Sequence, residues 1–456
     1  MRPQISILPG AVSTLLLVSS ALAQTHSWSI VRVDSTSNGG AYCSLALDDQ
    51  ANPRIAYLAF GQDLKYASNT LGSWTFQYPI FVSPNYISLE LAANGEPRVS
   101  FFANSDGTLR FGERNSGSWT FTTVDANPFS AGLFSSQKLD GQGNPRIAYH
   151  NEGGAGFVLR YAERNAGVWT IETPDAVGAT GYQTSLALDQ DANPRISYYS
   201  LTAGALKFAA KNAGVWSTEI VDMTGPPNTN AFPDRLTSIA LDSQGNPHIA
   251  YYDNLHGKLR YASRADGAWT PTTVDSAGNV GGYISLQLDA MDRPRISYYD
   301  ITNQDLKFAH QTGGTWTIEL VDSAGDVGRW SSLRLDAQGD PHISYEDASR
   351  GSLNLAHGTP AQVSVGTAPV PAMQLACMPN PVSGDLQVRF ALSHGGPAVV
   401  ELIDLLGRRL ASRQAGASGQ GRQQLTLGTG TLAPGLYFVR LTQGLATMTT
   451  RVIVVR

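Results

Sequence analysis

Seven tryptophans recur along the chain, Trp28, Trp74, Trp119, Trp169, Trp216, Trp269 and Trp316, at intervals of 45 to 53 residues. Seven prolines keep step with them: Pro53, Pro97, Pro145, Pro194, Pro247, Pro294 and Pro341. A period of that length means one supersecondary unit used repeatedly, each copy burying its apolar faces against its neighbours. The unit is clearest at Ser285 to Asp289, Pro294 to Asp300, Leu306 to Ala309 and Trp316 to Asp322. These four short runs alternate in polarity or are rich in β-branched and aromatic residues. Turn signals part them, such as Asp-Ser-Gln-Gly-Asn-Pro at 242 to 247 and Asp266-Gly267, which suit tight hairpins.

Four antiparallel strands in a repeat of about 40 to 50 residues make a propeller blade. The chain is therefore expected to be all-β, with a seven-bladed β-propeller over residues 24–357. Three connections per unit are short and the fourth, as from Asp322 to Ser332, is long enough to cross between blades. That makes Ser-Leu-x-Leu-Asp the inner strand and the Trp strand the outermost. The segment at Trp28 lacks preceding inner strands, and the last blade, ending near Ala356, lacks a Trp strand. The N-terminal strand is expected to complete the last blade and close the ring, leaving no open strand edge.

Residues 1–23 read as a secretory signal peptide, with Arg2 early, an apolar stretch around Ala11 to Val18 and a small-residue cleavage site at Ala21-Leu22-Ala23. No later apolar run is long enough for a membrane helix, so no span is expected in the mature chain. A net charge of −5 without a basic run offers no phosphate-binding footprint, so nucleic acid is not an expected partner. Two cysteines, Cys43 and Cys377, exclude a disulfide-dense scaffold.

After Ala356 the period stops, and residues 358–379 read as a Pro-, Ala- and Thr-rich linker. A new alternation occupies 380–456, with strand-like runs at Gln387 to Leu392, Ala398 to Leu406, Gln423 to Leu427, Leu436 to Leu441 and Met448 to Val455. Asn380-Pro381, then Asp404-Leu405-Leu406-Gly407-Arg408, then Gly435-Leu436-Tyr437-Phe438-Val439-Arg440 with a terminal β-run ending at Arg456 resemble the C-terminal sorting domains of type IX (Por) secretion. That resemblance implies a small immunoglobulin-like β-sandwich, passage through the outer membrane by a secretion translocon, and a secreted or cell-surface location.

The turn at Ala265-Asp266-Gly267-Ala268-Trp269 resembles the Asp-box (BNR repeat) of sialidase-type propellers, in a degenerate form that most copies carry without the Asp. Arg54, Arg98, Arg146, Arg195 and Arg295 share one repeat position with His248 and His342. Residues demanded in every blade serve the blade, and the same holds for Tyr57, Tyr149, Tyr198, Tyr251, Tyr298 and Tyr345. Asp34, Asp125, Asp175, Asp222, Asp275 and Asp322 stand six positions after the Trp in six units, with Ile80 in the other; they read as turn carboxylates. Asp189-Gln190-Asp191-Ala192-Asn193 looks like the start of a calcium loop but lacks the Gly and distal Glu. No cofactor and no metal site is expected, with calcium at such a loop as the alternative, since paired-His zinc motifs and phosphate-cradling loops are missing from the sequence.

Function is expected where long loops gather at one mouth of the ring. His150, Asn151 and Glu152 follow the second strand of the third blade, and Asp253, Asp300, Glu346 and Asp347 follow it in blades five to seven. Such carboxylates bind cations, bond sugar hydroxyls or act as an acid/base pair, or else are solvated loop residues. A second set stands two residues before the inner-strand Ser: Tyr42, Tyr86, Phe134, Tyr283 and Trp330. These rings stack on sugars or seal blade contacts. The favoured expectation is a non-enzymatic binding module for a polysaccharide or surface protein; the alternative is a secreted glycosidase, sialidase-like or other, using two mouth carboxylates such as Asp300 and Asp347.

Overall fold

The computed structural model describes residues 26–456 except 36–38, 60, 62, 71, 128–129, 154–155, 228–235, 265–266, 362–372, 393–396, 416–420 and 445. The expected signal peptide, the Asp266 turn and most of the expected linker lie outside the described residues. The chain divides into two compact units, residues 1–361 and 362–456.

The first unit is an all-β, propeller-like repeat of seven four-stranded antiparallel sheets. The sixth sheet is typical: Val280–Leu288, Pro294–Asp300, Asp305–Thr312 and Thr315–Asp322 pair in that order. In the seventh, Val327–Leu335, Pro341–Asp347 and Ser352–Pro360 are joined at the outer edge by His26–Asp34. The N-terminal strand therefore does fill the place that the missing Trp strand leaves. Its pairing with Ser352–Pro360 extends to His26 opposite Pro360, past the expected boundary at 357.

What fastens one sheet to the next is readable at the repeated Ser-Leu-x-Leu. The Ser44 hydroxyl accepts a hydrogen bond from the backbone N–H of Leu89 at 3.0 Å, and Ser88, Ser136, Ser185, Ser238 and Ser285 do the same for the first strand of the following sheet. Ser332 accepts from Leu45 at 3.0 Å, a link from the seventh sheet back to the first. Each interior strand N–H would otherwise be a buried orphan, so the serines are a packing requirement.

Glycine is needed where first strands press on the sheet before. Gly181 has φ +82°, and a Cβ there would lie 2.7 Å from the Leu159 Cα. At Gly328, with φ +102°, the same atom would lie 2.8 Å from the Leu306 Cα. Only a residue without Cβ allows that approach of two backbones.

The recurring Asp and Tyr of the repeat are one device. The Tyr57 hydroxyl donates to Asp34 of the neighbouring sheet at 2.5 Å, and Tyr149–Asp125, Tyr198–Asp175, Tyr251–Asp222, Tyr298–Asp275 and Tyr345–Asp322 repeat the bond at 2.5 to 2.7 Å. The other oxygen of the carboxylate caps the turn that follows, as Asp175 does for the Val177 N–H at 3.0 Å. Arg54, Arg146, Arg195 and Arg295 each hold the hairpin Asp of their own sheet, at 2.7 to 2.8 Å. Asp189 spends its oxygens on Asp191 N, Asn193 and Arg195, in a hairpin turn like its counterparts.

In the second unit, a three-stranded sheet (Gln374–Met378, Asp385–Leu392, Gly421–Gly428) and a four-stranded one (Arg409–Ala415, Ala398–Ile403, Gly435–Gln443, Ala446–Val454) share one apolar core. Leu386, Val388 and Phe390 from the first meet Val400, Leu402, Val439, Leu441 and Val452 from the second. The strand Gln374–Met378 pairs with Asp385–Leu392, so the unit begins before Asn380, the expected start. Among the described residues no helix is long and apolar enough to cross a membrane.

Candidate functional site at the mouth of the repeat

Where each first strand begins, six sheets place a non-glycine residue in the left-handed region: Tyr42, Tyr86, Phe134, Gln183, Tyr283 and Trp330, with φ between 50° and 58°. Such a conformation costs on the order of 1–3 kcal/mol for a bulky side chain. The offset is visible in the carbonyls it turns toward the next sheet. The Tyr86 and Tyr283 carbonyls accept from Ser135 and Ser331 at 2.6 Å, that of Trp330 lies 3.0 Å from Cys43 Sγ, and Thr184 donates to that of Phe134.

The same turn throws the rings together. Centroids of Tyr283 and Trp330 are 4.6 Å apart, Trp330 and Tyr42 3.9 Å, Tyr42 and Tyr86 5.2 Å, Tyr86 and Phe134 4.7 Å. Phe134 continues to Tyr182 at 6.1 Å, and Tyr182 lies 4.2 Å from His150. The result is an aromatic collar spanning six sheets. Tyr283 and Trp330, both candidates for ligand binding, are buried in it, and of the two roles open to these rings they take the sealing of sheet contacts. Tyr42, Tyr86 and Phe134 keep partial exposure.

Beneath the collar is a polar cavity of about 110 Å³, lined by the Ser ring together with Gln287, Glu90, Lys138 and Arg334. Glu90 is ion-paired to Lys138 and lies 3.5 Å from Arg334. Burial opposes its charge, but the two cations hold the carboxyl below its ordinary value.

Asp253, Asp300 and Asp347 are buried, against the expectation of mouth carboxylates open to a ligand. Each caps the hairpin between second and third strands. Asp300 accepts from the N–H groups of Thr302 and Asn303 at 3.0 Å and pairs with Lys307 at 2.7 Å. Although burial works the other way, these bonds hold its pKa below the usual carboxylate value. Asp347 accepts from the Arg350 N–H at 3.0 Å and pairs with its guanidinium at 2.7 Å, and Asp253 takes Leu255 N at 3.0 Å and His256 at 2.7 Å. Short polar residues at a tight turn bond their own backbone, and that competes directly with ligand binding.

Two flanks of the collar are different. On the third sheet, His150 donates from Nδ1 to the Thr180 carbonyl at 2.8 Å, leaving Nε2 as a buried nitrogen without a hydrogen-bond partner, 3.9 Å from Glu152. Burial drives the imidazole down to about 4 and raises the Glu152 carboxyl, so the ring is neutral at physiological pH. On the seventh sheet, half-buried Glu346 stands cross-strand from Arg329. Burial lifts its pKa to about 7; Arg329 opposes the shift, while Asp326 and Asp347 add to it. Arg329 is itself held by Asp326, which also receives the Tyr299 hydroxyl at 2.8 Å. Tyr182, Tyr299, Asp326 and Arg329 were not legible as site residues. The one sequence signal for the last pair is its position in the long loop crossing into the seventh sheet.

Residues 376–455 match the family model of the secretion system C-terminal sorting domain. The chain is thus an all-β repeat protein carrying a secretion sorting domain, which supports a secreted or cell-surface location. No curated protein matches it. Among solved structures it is similar to PorZ, described as a surface component of the type IX secretion system of Porphyromonas gingivalis, at 13% identity over 91% of this chain and 59% of that one, with TM-score 0.44. It is also similar to AofleA from Arthrobotrys oligospora, at 15% identity over 66% and 91% with TM-score 0.43. The intramolecular trans-sialidase of Ruminococcus gnavus matches at 13% identity over 72% and 95% with TM-score 0.40.

Proposed function

We propose that the chain is a secreted, carbohydrate-associated surface protein, built on a closed seven-bladed β-propeller, that engages a polysaccharide at the collar end of the ring. The observation that carries the reading is the collar itself: partly exposed Tyr42, Tyr86 and Phe134 flanked by His150 and Glu152 on one side and Glu346 on the other. Aromatic faces stack on sugar rings, and polar groups at their margin fix orientation. The sandwich-like C-terminal unit delivers the protein through the secretion translocon.

A second reading, a glycan-active enzyme, is favoured by Glu346. A carboxyl lifted to about 7 keeps its proton near neutrality, as a general acid must. Under that reading Glu346 and Glu152 replace Asp300 and Asp347 as the acidic groups to test, because the latter two are committed to turns. A polysaccharide panel with product analysis separates the readings. Retention without new ends, weakened by Tyr86→Ala, supports binding; product release abolished by Glu346→Gln supports catalysis; retention unaffected by either variant contradicts both.

A further inference from the structure

Four of the eight histidines of the chain, His26, His310, His342 and His357, gather where the sixth and seventh sheets meet, away from the collar. In the chain they are up to hundreds of residues apart, so no spacing motif announces them. At equivalent junctions a polar residue of the outer strand receives a Trp indole and a cationic side chain from the next sheet: Glu172 takes Trp216 and Lys211, and Gln77 takes Trp119 and Arg114. At the sixth sheet Glu319 takes Trp28 and His26 from the seventh sheet and His310 from its own, so two imidazoles meet the carboxylate that a Lys meets at Glu172.

We propose that His26, His310 and Glu319 form a site for a zinc-class transition-metal ion that staples the N-terminal strand to the sixth sheet. His26 Nδ1 and His310 Nε2 each lie 2.9 Å from the same oxygen, Glu319 Oε1, and all three ligand atoms fall within 4.8 Å of one another. Ligand atoms about 2.0–2.2 Å from a shared ion are separated by roughly 3 Å or a little more, so the ion enters with small side-chain shifts. The His310 side chain is fully buried, and those of His26 and Glu319 are each 8% exposed. The shell is thus nearly dry, and a water completes the set as fourth ligand. Two imidazoles and one carboxylate are a donor set for zinc and its first-row neighbours rather than for calcium or magnesium. The neighbouring Asp336, His342 and His357 are a weaker alternative: the two rings stack at 4.2 Å with 20° between planes, so their in-plane lone pairs run nearly parallel instead of converging.

Metal content and cobalt(II) absorption of the full-length mature protein, after equilibration with ZnCl₂ or CoCl₂ and desalting, test this. One equivalent per chain, a cobalt spectrum of nitrogen and oxygen ligation, and a melting temperature lowered by EDTA are the expected results. Affinity should fall at least about 100-fold in His310→Gln and in Glu319→Gln, since even changes to outer-shell partners cost about 10–100-fold. His256→Gln, at an exposed histidine, should change nothing. The proposal is overturned if wild-type protein retains no metal at micromolar concentrations. It is equally overturned if His310→Gln and Glu319→Gln, shown folded by circular dichroism, bind as wild type, or if only His342→Gln and His357→Gln lose binding.

Discussion

Six sheet junctions are fastened by a tyrosine hydroxyl on a buried or half-buried aspartate; the junction between the first and second sheets is not. There the aspartate position is Ile80 and the tyrosine position is Phe101, and both belong to one apolar cluster. The basic residue that reaches the aspartate at four other junctions, as Lys65 reaches Asp34 at 2.5 Å, is Arg110 here, turned instead to Asp106. Donor and acceptor have been lost together, which is what a buried hydrogen bond demands: deleting both partners is nearly neutral, while deleting one strands the other. The contrast shows that the repeated aspartates and tyrosines answer to the scaffold. A junction can dispense with the pair, so their recurrence says nothing about catalysis.

The contrast can be broken by introducing half of the pair. Ile80→Asp places a carboxylate against Phe101 with no hydroxyl to meet it and should cost about 2–4 kcal/mol, toward the range for an uncompensated buried charge. Denaturant unfolding measures it. Phe101→Tyr and, at an intact junction, Tyr298→Phe each leave one polar group short and should cost about 1–3 kcal/mol. The double variant Ile80→Asp with Phe101→Tyr should recover part of the loss, with a coupling of about 0.5–3 kcal/mol; strict additivity would show that the two positions do not act as a pair.

The smaller effects sit at the collar. Glu346 is raised from its ordinary 4.5 to about 7, so between those values the folded state holds a proton that the unfolded state has released. Its contribution to stability is full below about 4.5 and is lost as pH rises through about 7. Glu346→Gln should therefore flatten the fall in stability over that window and gain on the order of 1–2 kcal/mol against wild type at pH 8. A melting profile in pH that is unchanged by the substitution contradicts the assignment. Tyr86→Ala should cost less in stability than the junction variants, because the ring is partly exposed, while weakening polysaccharide retention most.

Much of the first unit was legible because its period writes the same physics seven times: the Trp and Pro rhythm marks the strands, and the missing outer strand after Ala356 foretells the role of His26–Asp34. The candidate site was less so. Asp253, Asp300 and Asp347 drew attention as variable acidic residues beside long loops, yet a carboxylate followed by Leu255, Thr302 or Arg350 at turn spacing is spent on backbone N–H groups, and that commitment is a matter of hairpin geometry. In the sequence Glu346 stands out only by its place after the second strand. What distinguishes it is burial beside Arg329, a cross-strand relation set by register and a bulge in the first strand. The histidine cluster at the sixth and seventh sheets was invisible because sheet pairing, not spacing, brings His26 to Glu319.

The most direct test of the account is retention of the full-length protein on a panel of polysaccharides, run with wild type, Tyr86→Ala and Glu346→Gln side by side. The collar reading predicts retention on at least one polysaccharide that drops at least tenfold in Tyr86→Ala while that variant's melting temperature stays within a few degrees of wild type. Absence of retention on every polysaccharide, or retention that survives both substitutions, would contradict it.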